Sequence, residues 1–321
     1  MEDLKMGFGA IASEQDSRTI QHTEMTTMGG VPLSNGGFDY AVTDIEHQHK
    51  VGICTAISLT QNAAKALGRK FSADFQYLLQ KKYYDKNWYE GSSIFNALKV
   101  GKNFGFLPVE LFNDPTGIPY INPDFDRVHM NPGSDVYSTY IAKLKAIPDQ
   151  EITRLLTLCS NKLAGYASVD VTDPQKIATA INTSKAGILC MYRVGDEWYT
   201  AVDGTITWDP QFINPLRSPS PATSAHAITY AKFDYTQKYD GIHANTWGTD
   251  WNKHGLGDII FSNYKPVEGW IPYYALTPDE LAQIQDIKNR NAIVSKNVTD
   301  PAFLTFLRNY CTYLISLITG A

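Results

Sequence analysis

The stretch Gln48-His49-Lys50-Val51-Gly52-Ile53-Cys54-Thr55-Ala56-Ile57-Ser58 decides how the rest of the chain is read. Beyond the cysteine, apolar residues recur at Ala56, Ile57, Ala63, Ala64 and Leu67, the spacing of a buried helix. Gly68 then stands where a left-handed C-terminal cap belongs. The spacing predicts a helix over 54–67 that carries a thiol in its first turn.

Two later stretches could complete a chemistry with that thiol. They are Ser224-Ala225-His226-Ala227-Ile228-Thr229-Tyr230 and Ala244-Asn245-Thr246-Trp247-Gly248-Thr249-Asp250-Trp251. Cys54 would supply a nucleophile, His226 a base, and Asn245 a group that holds the imidazole by its other nitrogen. A free thiol has a pKa near ~8.5, so little of it is thiolate at neutral pH. The positive end of the helix and an imidazolium at His226 are both expected to lower the Cys54 value. Attack on a carbonyl creates an oxyanion, for which the Gln48 amide and the Cys54 backbone N–H are the expected donors. One such donor typically contributes ~3–4 kcal/mol. Trp247 is expected to keep water off the His226–Asn245 hydrogen bond. Each residue taken alone has a plainer reading: Cys54 as a small buried side chain, Trp247 and Trp251 as core packing.

Residues 1–40 are polar, broken by Gly29-Gly30 and Gly36-Gly37, and read as an arm. Helices are expected around Ser72–Lys82 and Ser92–Phe104, a long loop over 113–135, and another helix near Gln150–Leu163. The character then changes. Strands are expected at Tyr166–Val171, Gly187–Val194, Trp198–Val202, Ala225–Phe233, Gly241–Asn245, Gly257–Phe261 and Trp270–Tyr274, with a helix opening at Asp173-Pro174. The proline-rich stretch Asp209–Thr223 reads as a surface insertion before His226. The fold class is therefore α+β, with a helical part over about 48–150, a β-rich part over about 160–275 and a cleft between them.

These stretches resemble the papain-like cysteine peptidases. The likeness lies in the glutamine six residues before the cysteine, Gly52-Ile53-Cys54, the His226-Ala227 stretch with β character, and Asn-x-Trp-Gly-Thr-x-Trp at 245–251. Gly255-Leu256-Gly257, Glu90-Gly91-Ser92-Ser93 and the phrase from Gly101 to Glu110 are also similar to that family. The resemblance covers roughly residues 40–275. It implies a helical left subdomain, a β-barrel-like right subdomain, and a cysteine endopeptidase working through Cys54, His226 and Asn245 and an acyl-enzyme, without cofactor or metal. Gln48 and Cys54 would form the oxyanion hole, Trp247 the shield, and Gly91 and Ser92 a wall that binds substrate backbone. Thr55 stands where the family usually has tryptophan, and Val51 where lysosomal members carry a disulfide cysteine. Residues 1–40 are short for the family's helical prodomain but long enough to lie across the cleft.

On this reading the chain divides into an arm (1–40), a peptidase domain (41–275) and a helical extension (276–321). Thr277-Pro278-Asp279-Glu280 opens one helix of the extension, and Asp300-Pro301 opens a last one running to about Ile318. That last helix is apolar around most of its circumference, which points to packing on its own domain or a second subunit. Arg308 inside it argues against a membrane span.

With 28 basic and 33 acidic residues, the net charge of −5 argues against nucleic acid or anionic membrane as partner; a peptide or protein substrate is what the resemblance implies. The cysteines, 54, 159, 190 and 311, show no C-x-x-C spacing, so neither a zinc site nor a redox pair is expected. His47 and His49 share a face in an extended segment but lack a third ligand, and are read as surface residues. No signal peptide is evident in Met1–Ala12, and the expected location is cytoplasmic or virion-associated. A reading from another class treats the fold as a structural or docking component of a larger assembly, such as a phage virion.

Overall fold

The structure is a computed structural model that describes residues 9–13, 35–128, 136–194, 198, 205–206, 225–234, 240–259, 261 and 265–274. The helix expected from Cys54 is present as α1, Cys54–Leu67, and Gly68 closes it at φ 69°, its N–H donating to Ala64 O over 2.8 Å. Serine hydroxyls start the next two helices. Ser72 accepts from Phe75 N at the head of α2, Ala73–Leu79, and Ser93 accepts from Asn96 N at the head of α3, Ile94–Asn103. Caps of this kind each stabilise a helix by about 1 kcal/mol. α2 does not stop at Leu79; it widens into a π-helical turn, Gln80–Asp85, which ends at Lys86 in the left-handed region.

Two more helices close the helical half: α4, Val136–Lys145, and α5, Asp149–Leu158. The second is the helix expected near 150. The first was not expected, although Tyr137, Tyr140, Ile141 and Leu144 are buried at helical spacing. A short helical turn, Pro123–Asp126, interrupts the expected loop. Phe75, Leu78, Tyr140, Leu144 and Leu155 belong to the core of this half, together with Val51 and Ile57.

A buried ion cluster fastens that core to the chain leading into α1. Arg127 is fully buried; its Nη2 and Nε donate to the two oxygens of Asp74 over 2.7 and 3.1 Å. Its Nη1 reaches Glu46 Oε1 at 3.0 Å and the His47 carbonyl at 2.8 Å, while the Tyr140 hydroxyl donates to Asp74 Oδ1 at 2.9 Å. A buried guanidinium is tolerated only where its donors are met in this way.

The second half is a single sheet. Its strands are β1 Gly36–Gly37, β2 Gly165–Val169, β3 Ile188–Arg193, β4 Thr205–Ile206, β5 Ala225–Asp234, β6 Asp240–Ala244, β7 Leu256–Ile259 and β8 Glu268–Tyr273. They run in the order β2-β8-β3-β5-β6-β7-β4, with β1 against β5. β2 and β4 end this path without meeting, so among the described residues the sheet is open; the barrel-like shape expected from the resemblance is corrected. One further helix, α6, Pro174–Thr183, opens with Asp173 accepting from Gln175 N and packs on β1, β2 and β5.

Alternation divides the sheet cleanly. Cys190, Tyr192, Ile228, Tyr230 and Ile271 pack with α6 and the tryptophans Trp198, Trp247 and Trp251. Leu189, Met191, Ala225, Ala227 and Trp270 face the other way and pack with Leu59, Ile94, Phe95 and Leu98 of α1 and α3. The second face joins the two halves. The expected strand at Trp198–Val202 (apart from the buried Trp198), most of the arm, the Asp209–Thr223 insertion and the C-terminal extension lie outside the described residues. No helix among the described residues is long and apolar enough to cross a membrane.

His243 gives this half a pH dependence. It is buried on β6, its Nε2 2.7 Å from the Tyr192 hydroxyl and its Nδ1 3.1 Å from Gly241 O, and burial pushes its pKa down from 6.5 to about 3. A neutral buried histidine favours the folded state fully above its unfolded pKa. That contribution is lost progressively as pH falls from about 6.5 towards 3. Urea midpoints at pH 7.5 and pH 4.5 check this. The drop should be larger in the parent than in His243→Gln, and equal drops would contradict it.

Candidate active site

Cys54 sits at the first turn of α1, where Ile53 serves as N-cap without a side-chain hydrogen bond. The helix is held against β5 and the chain flanking β6 and β3 by polar side chains on one of its faces. Ser58 Oγ donates to Ala227 O at 2.7 Å, Gln61 Nε2 to Asn245 O at 3.3 Å, and Asn62 Nδ2 to Ala186 O at 2.9 Å. These contacts fix where the sulfur lies. Cys54 Sγ accepts from the backbone N–H of Ala227, the residue after His226, at 3.5 Å.

His226 is the second residue of β5, opposite Tyr192. Its Nε2 is 2.7 Å from Asn245 Oδ1, and the backbone N–H of Thr246 donates to that same oxygen at 2.7 Å. A backbone N–H can meet only the oxygen of a carboxamide, so the orientation of Asn245 is fixed independently of the histidine. The imidazole therefore donates from Nε2, which makes Nδ1 the basic nitrogen of the neutral ring. The Trp247 ring lies 4.7 Å from that of His226, and Trp198 stands edge-on to it at 6.2 Å. Trp251 stacks on Trp198 and donates to Trp198 O at 2.7 Å.

Gln48 is buried in the same network. Its Oε1 accepts from the Thr246 hydroxyl at 2.5 Å, its Nε2 donates to Val51 O at 3.3 Å, and its backbone N–H donates to Thr246 O at 2.8 Å. Thr246 thus ties Gln48 to Asn245, a link that nothing in the sequence announced. The chain before Cys54 is anchored twice, by Thr246 on one side and by the Arg127 donation to His47 O on the other.

Gly91 and Ser92 form the opposite rim, and a buried charge cluster positions them. Lys81 Nζ donates to Gly91 O and pairs with Asp85 over 2.9 Å; Asp85 in turn accepts from Ser92 Oγ at 3.1 Å. The Tyr77 hydroxyl accepts from Gly91 N at 3.1 Å. The π-helical turn brings Lys81 and Asp85 under the rim, as such turns often do near functional sites.

The rim is occupied by the chain itself. Residues 9–13 lie in the cleft: Ser92 N donates to Gly9 O at 2.7 Å, Ile11 N to Ser92 O at 2.8 Å, and Ala10 N to Ala225 O at 3.3 Å. Ala10 and Ser92 pair in parallel. The fit at Gly9 is close, since a Cβ there would stand 1.9 Å from Gly52 O. Farther along, Ser13 contacts both oxygens of Glu268, through its N–H at 3.1 Å and its hydroxyl at 2.9 Å.

This cover explains a departure from the expected electrostatics. Cys54 is wholly buried, and burial pushes its pKa up from 9.0 to about 11; N–H groups of Ala227 and Gly9 at the sulfur offset this only in part. Burial likewise pushes His226 down to about 4, against a smaller raising effect from Asn245. Both shifts run against the thiolate–imidazolium pair expected from the sequence, because burial penalises the charged forms. His47 and His49 stack on each other at 3.6 Å on the outer side of the Gln48 segment; they are half-buried rather than surface residues. Among the described residues no group of three or more His, Cys, Asp or Glu could hold a metal ion.

By sequence, no protein-family model and no curated protein matches the chain. By structure it is similar to xylellain, a cysteine protease from Xylella fastidiosa, with TM-score 0.60 and 16% identity over 85% of this chain and 97% of that one. The fold is papain-like. Procathepsin L 3 of the Tenebrio molitor larval midgut is similar at TM-score 0.45 and 13% identity, over 85% of this chain and 74% of its own. The ragweed pollen cysteine protease Amb a 11, in its proform, is similar at TM-score 0.49 and 14% identity, over 81% and 71%. α1 packs directly on β5, with Cys54 on the helix and His226 on the strand.

Proposed function

We propose that the protein is a cysteine peptidase in which Cys54, His226 and Asn245 hydrolyse peptide bonds through an acyl-enzyme. The observation that carries this is the tautomer lock: Asn245 Oδ1 engages His226 Nε2, reserving Nδ1 as a base on the strand residue adjoining the one that touches Cys54 Sγ. The thiol gives its proton to Nδ1 as sulfur bonds to the substrate carbonyl carbon, and His226 then protonates the leaving amine as the C–N bond breaks. Water, deprotonated by the same histidine, releases the acid and restores the thiol.

The oxyanion of each tetrahedral intermediate is met by the Cys54 backbone N–H and by the Gln48 amide. That amide has a second N–H besides the one donated to Val51 O. Residues 9–13 hold this machinery in a covered, neutral state. Withdrawing them admits water, which favours the charged forms of the thiol and imidazole together and makes the site reactive.

Turnover of a fluorogenic peptide amide tests the assignment in a Gly9→Ala parent, where the added Cβ would stand 1.9 Å from Gly52 O and the segment cannot keep its covering path. His226→Ala should lower the rate by ~10²–10⁴-fold, the usual contribution of a general acid–base. Gln48→Ala should lower it by ~10²–10³-fold, as expected for loss of one oxyanion donor. Rates within twofold of the parent in either variant would remove that residue from the mechanism.

A further inference from the structure

The peptide unit between Val51 and Gly52 is held at both ends. Its carbonyl, Val51 O, accepts from Ile53 N at 2.9 Å and from Gln48 Nε2 at 3.3 Å. Its N–H, that of Gly52, donates to Glu90 Oε1 at 2.6 Å. A backbone N–H on a carboxylate makes one of the stronger hydrogen bonds a protein contains. Gly52 is buried and Glu90 is exposed, so the bond runs from inside the segment leading to Cys54 out to the opposite rim. The backbone under Glu90 is anchored from the core. The Tyr137 hydroxyl donates to Tyr89 O at 2.9 Å, and the Tyr77 hydroxyl, 3.0 Å from that of Tyr137, accepts from Gly91 N at 3.1 Å. Both peptide groups that flank Glu90 are thus held by buried tyrosines, and the carboxylate reaches across from a fixed support.

We propose that Glu90 is a positioning residue for the oxyanion hole: by holding Gly52 N–H it fixes the Val51–Gly52 peptide plane, and through Val51 O the direction of the Gln48 amide. The inference rests on the peptidase reading, in which Gln48 is an oxyanion donor, and adds what aims that donor. A peptide unit is planar, so a rotation that frees its N–H from Glu90 also swings its carbonyl away from Gln48. The carboxamide of Gln48 is planar too, and the N–H placed on Val51 O therefore sets the direction of the other. Thr246 grips the oxygen end of the same side chain. Bonds in such a series also polarise one another, which strengthens the donor at the far end. Gly9 packs on Gly52 O while residues 9–13 are in place. Once they leave, Glu90 keeps its hold from the rim, so its contribution is made in the open enzyme.

The test uses the full chain carrying Gly9→Ala as parent, with Glu90→Ala, Glu90→Gln, Gln48→Ala and the Glu90→Ala, Gln48→Ala pair added to it. On a fluorogenic peptide amide, Glu90→Ala should lower kcat on the order of tenfold with KM unchanged, the pattern of an interaction made in the transition state. Glu90→Gln keeps an acceptor oxygen at the same reach and should restore most of the rate. In the Gln48→Ala background Glu90→Ala should cost nothing further, as for two residues acting through one network. Thermal melts show whether each variant is folded. A raised KM with kcat intact, a rate equal to the parent's, or a Glu90→Ala loss undiminished without the Gln48 amide would each overturn the proposal. NMR of protein labelled on glutamine side-chain nitrogen reads the same link without turnover. The Gln48 resonances, identified by their loss in Gln48→Ala, should move in Glu90→Ala and hold in Glu90→Gln; resonances indifferent to Glu90→Ala would overturn it. A parent without turnover whose Gln48 resonances still follow Glu90 would instead sink the peptidase reading and leave the link between the two residues standing.

Discussion

Alkylation of Cys54 by iodoacetamide at pH 7.5 is expected to accelerate on the order of 10²-fold when Gly9 is replaced by alanine. In the closed arrangement the thiol has a pKa of about 11, and its side chain is wholly buried. At pH 7.5 such a group is thiolate roughly once in 3,000 molecules, whereas an ordinary thiol near ~8.5 is thiolate about once in ten. The lower-pKa thiolate is a weaker nucleophile, which offsets part of that gain; access of the reagent to an uncovered sulfur adds to it. Alanine at position 9 cannot keep the present path, because its Cβ would meet Gly52 O at 1.9 Å and backbone cannot yield that far. The segment must leave rather than adjust. Mass-spectrometric rates for Cys54, with Cys159 as internal reference, measure the effect. An unchanged Cys54 rate in the variant would show that the cover is not what suppresses the thiol.

The second large effect concerns stability. Arg127→Met is expected to cost about 3–5 kcal/mol, the usual penalty for removing one partner of a buried ion pair. Asp74, with a side chain only 6% exposed, would keep the Tyr140 hydroxyl but lose both guanidinium contacts. Glu46 is better placed to tolerate the loss, with 34% of its side chain exposed. The substitution also removes the donor to His47 O, which holds the segment carrying Gln48. Turnover should therefore fall in the fraction of Arg127→Met that remains folded. Equilibrium urea unfolding measures the first effect, and a loss below about 1 kcal/mol would mean that the cluster is not the anchor described here.

Much of this was legible from local pattern. The Cys54–Leu67 helix shows in its apolar period and its glycine cap, and β5 and the Asn245 loop show in residue types that suit a strand and a turn. What remained hidden depends on pairing across long sequence separations. The contact between Ser13 and Glu268 joins residues 255 apart, and no periodicity encodes it. Without that cover, the helix end and imidazolium were expected to lower the Cys54 pKa; with it, burial prevails and the shift reverses. Lys81 and Asp85 carry no mark in the sequence beyond two charges four residues apart, and only the π-helical turn and the Gly91 carbonyl explain their burial. Thr246 gave no signal at all, since a threonine hydroxyl that links Gln48 to the histidine network looks like any other threonine.

The central claim is that His226 activates the sulfur of Cys54 once the cleft is open. Its most direct test is intact-mass and peptide-mapping analysis of the Gly9→Ala protein treated with a thiol-directed peptidyl epoxide, with and without His226→Ala. A single adduct on Cys54, forming at least tenfold more slowly without the imidazole, is the expected result. Modification of Cys54 no faster than Cys159, or at a rate indifferent to His226, would contradict it and leave a papain-like scaffold without peptidase chemistry.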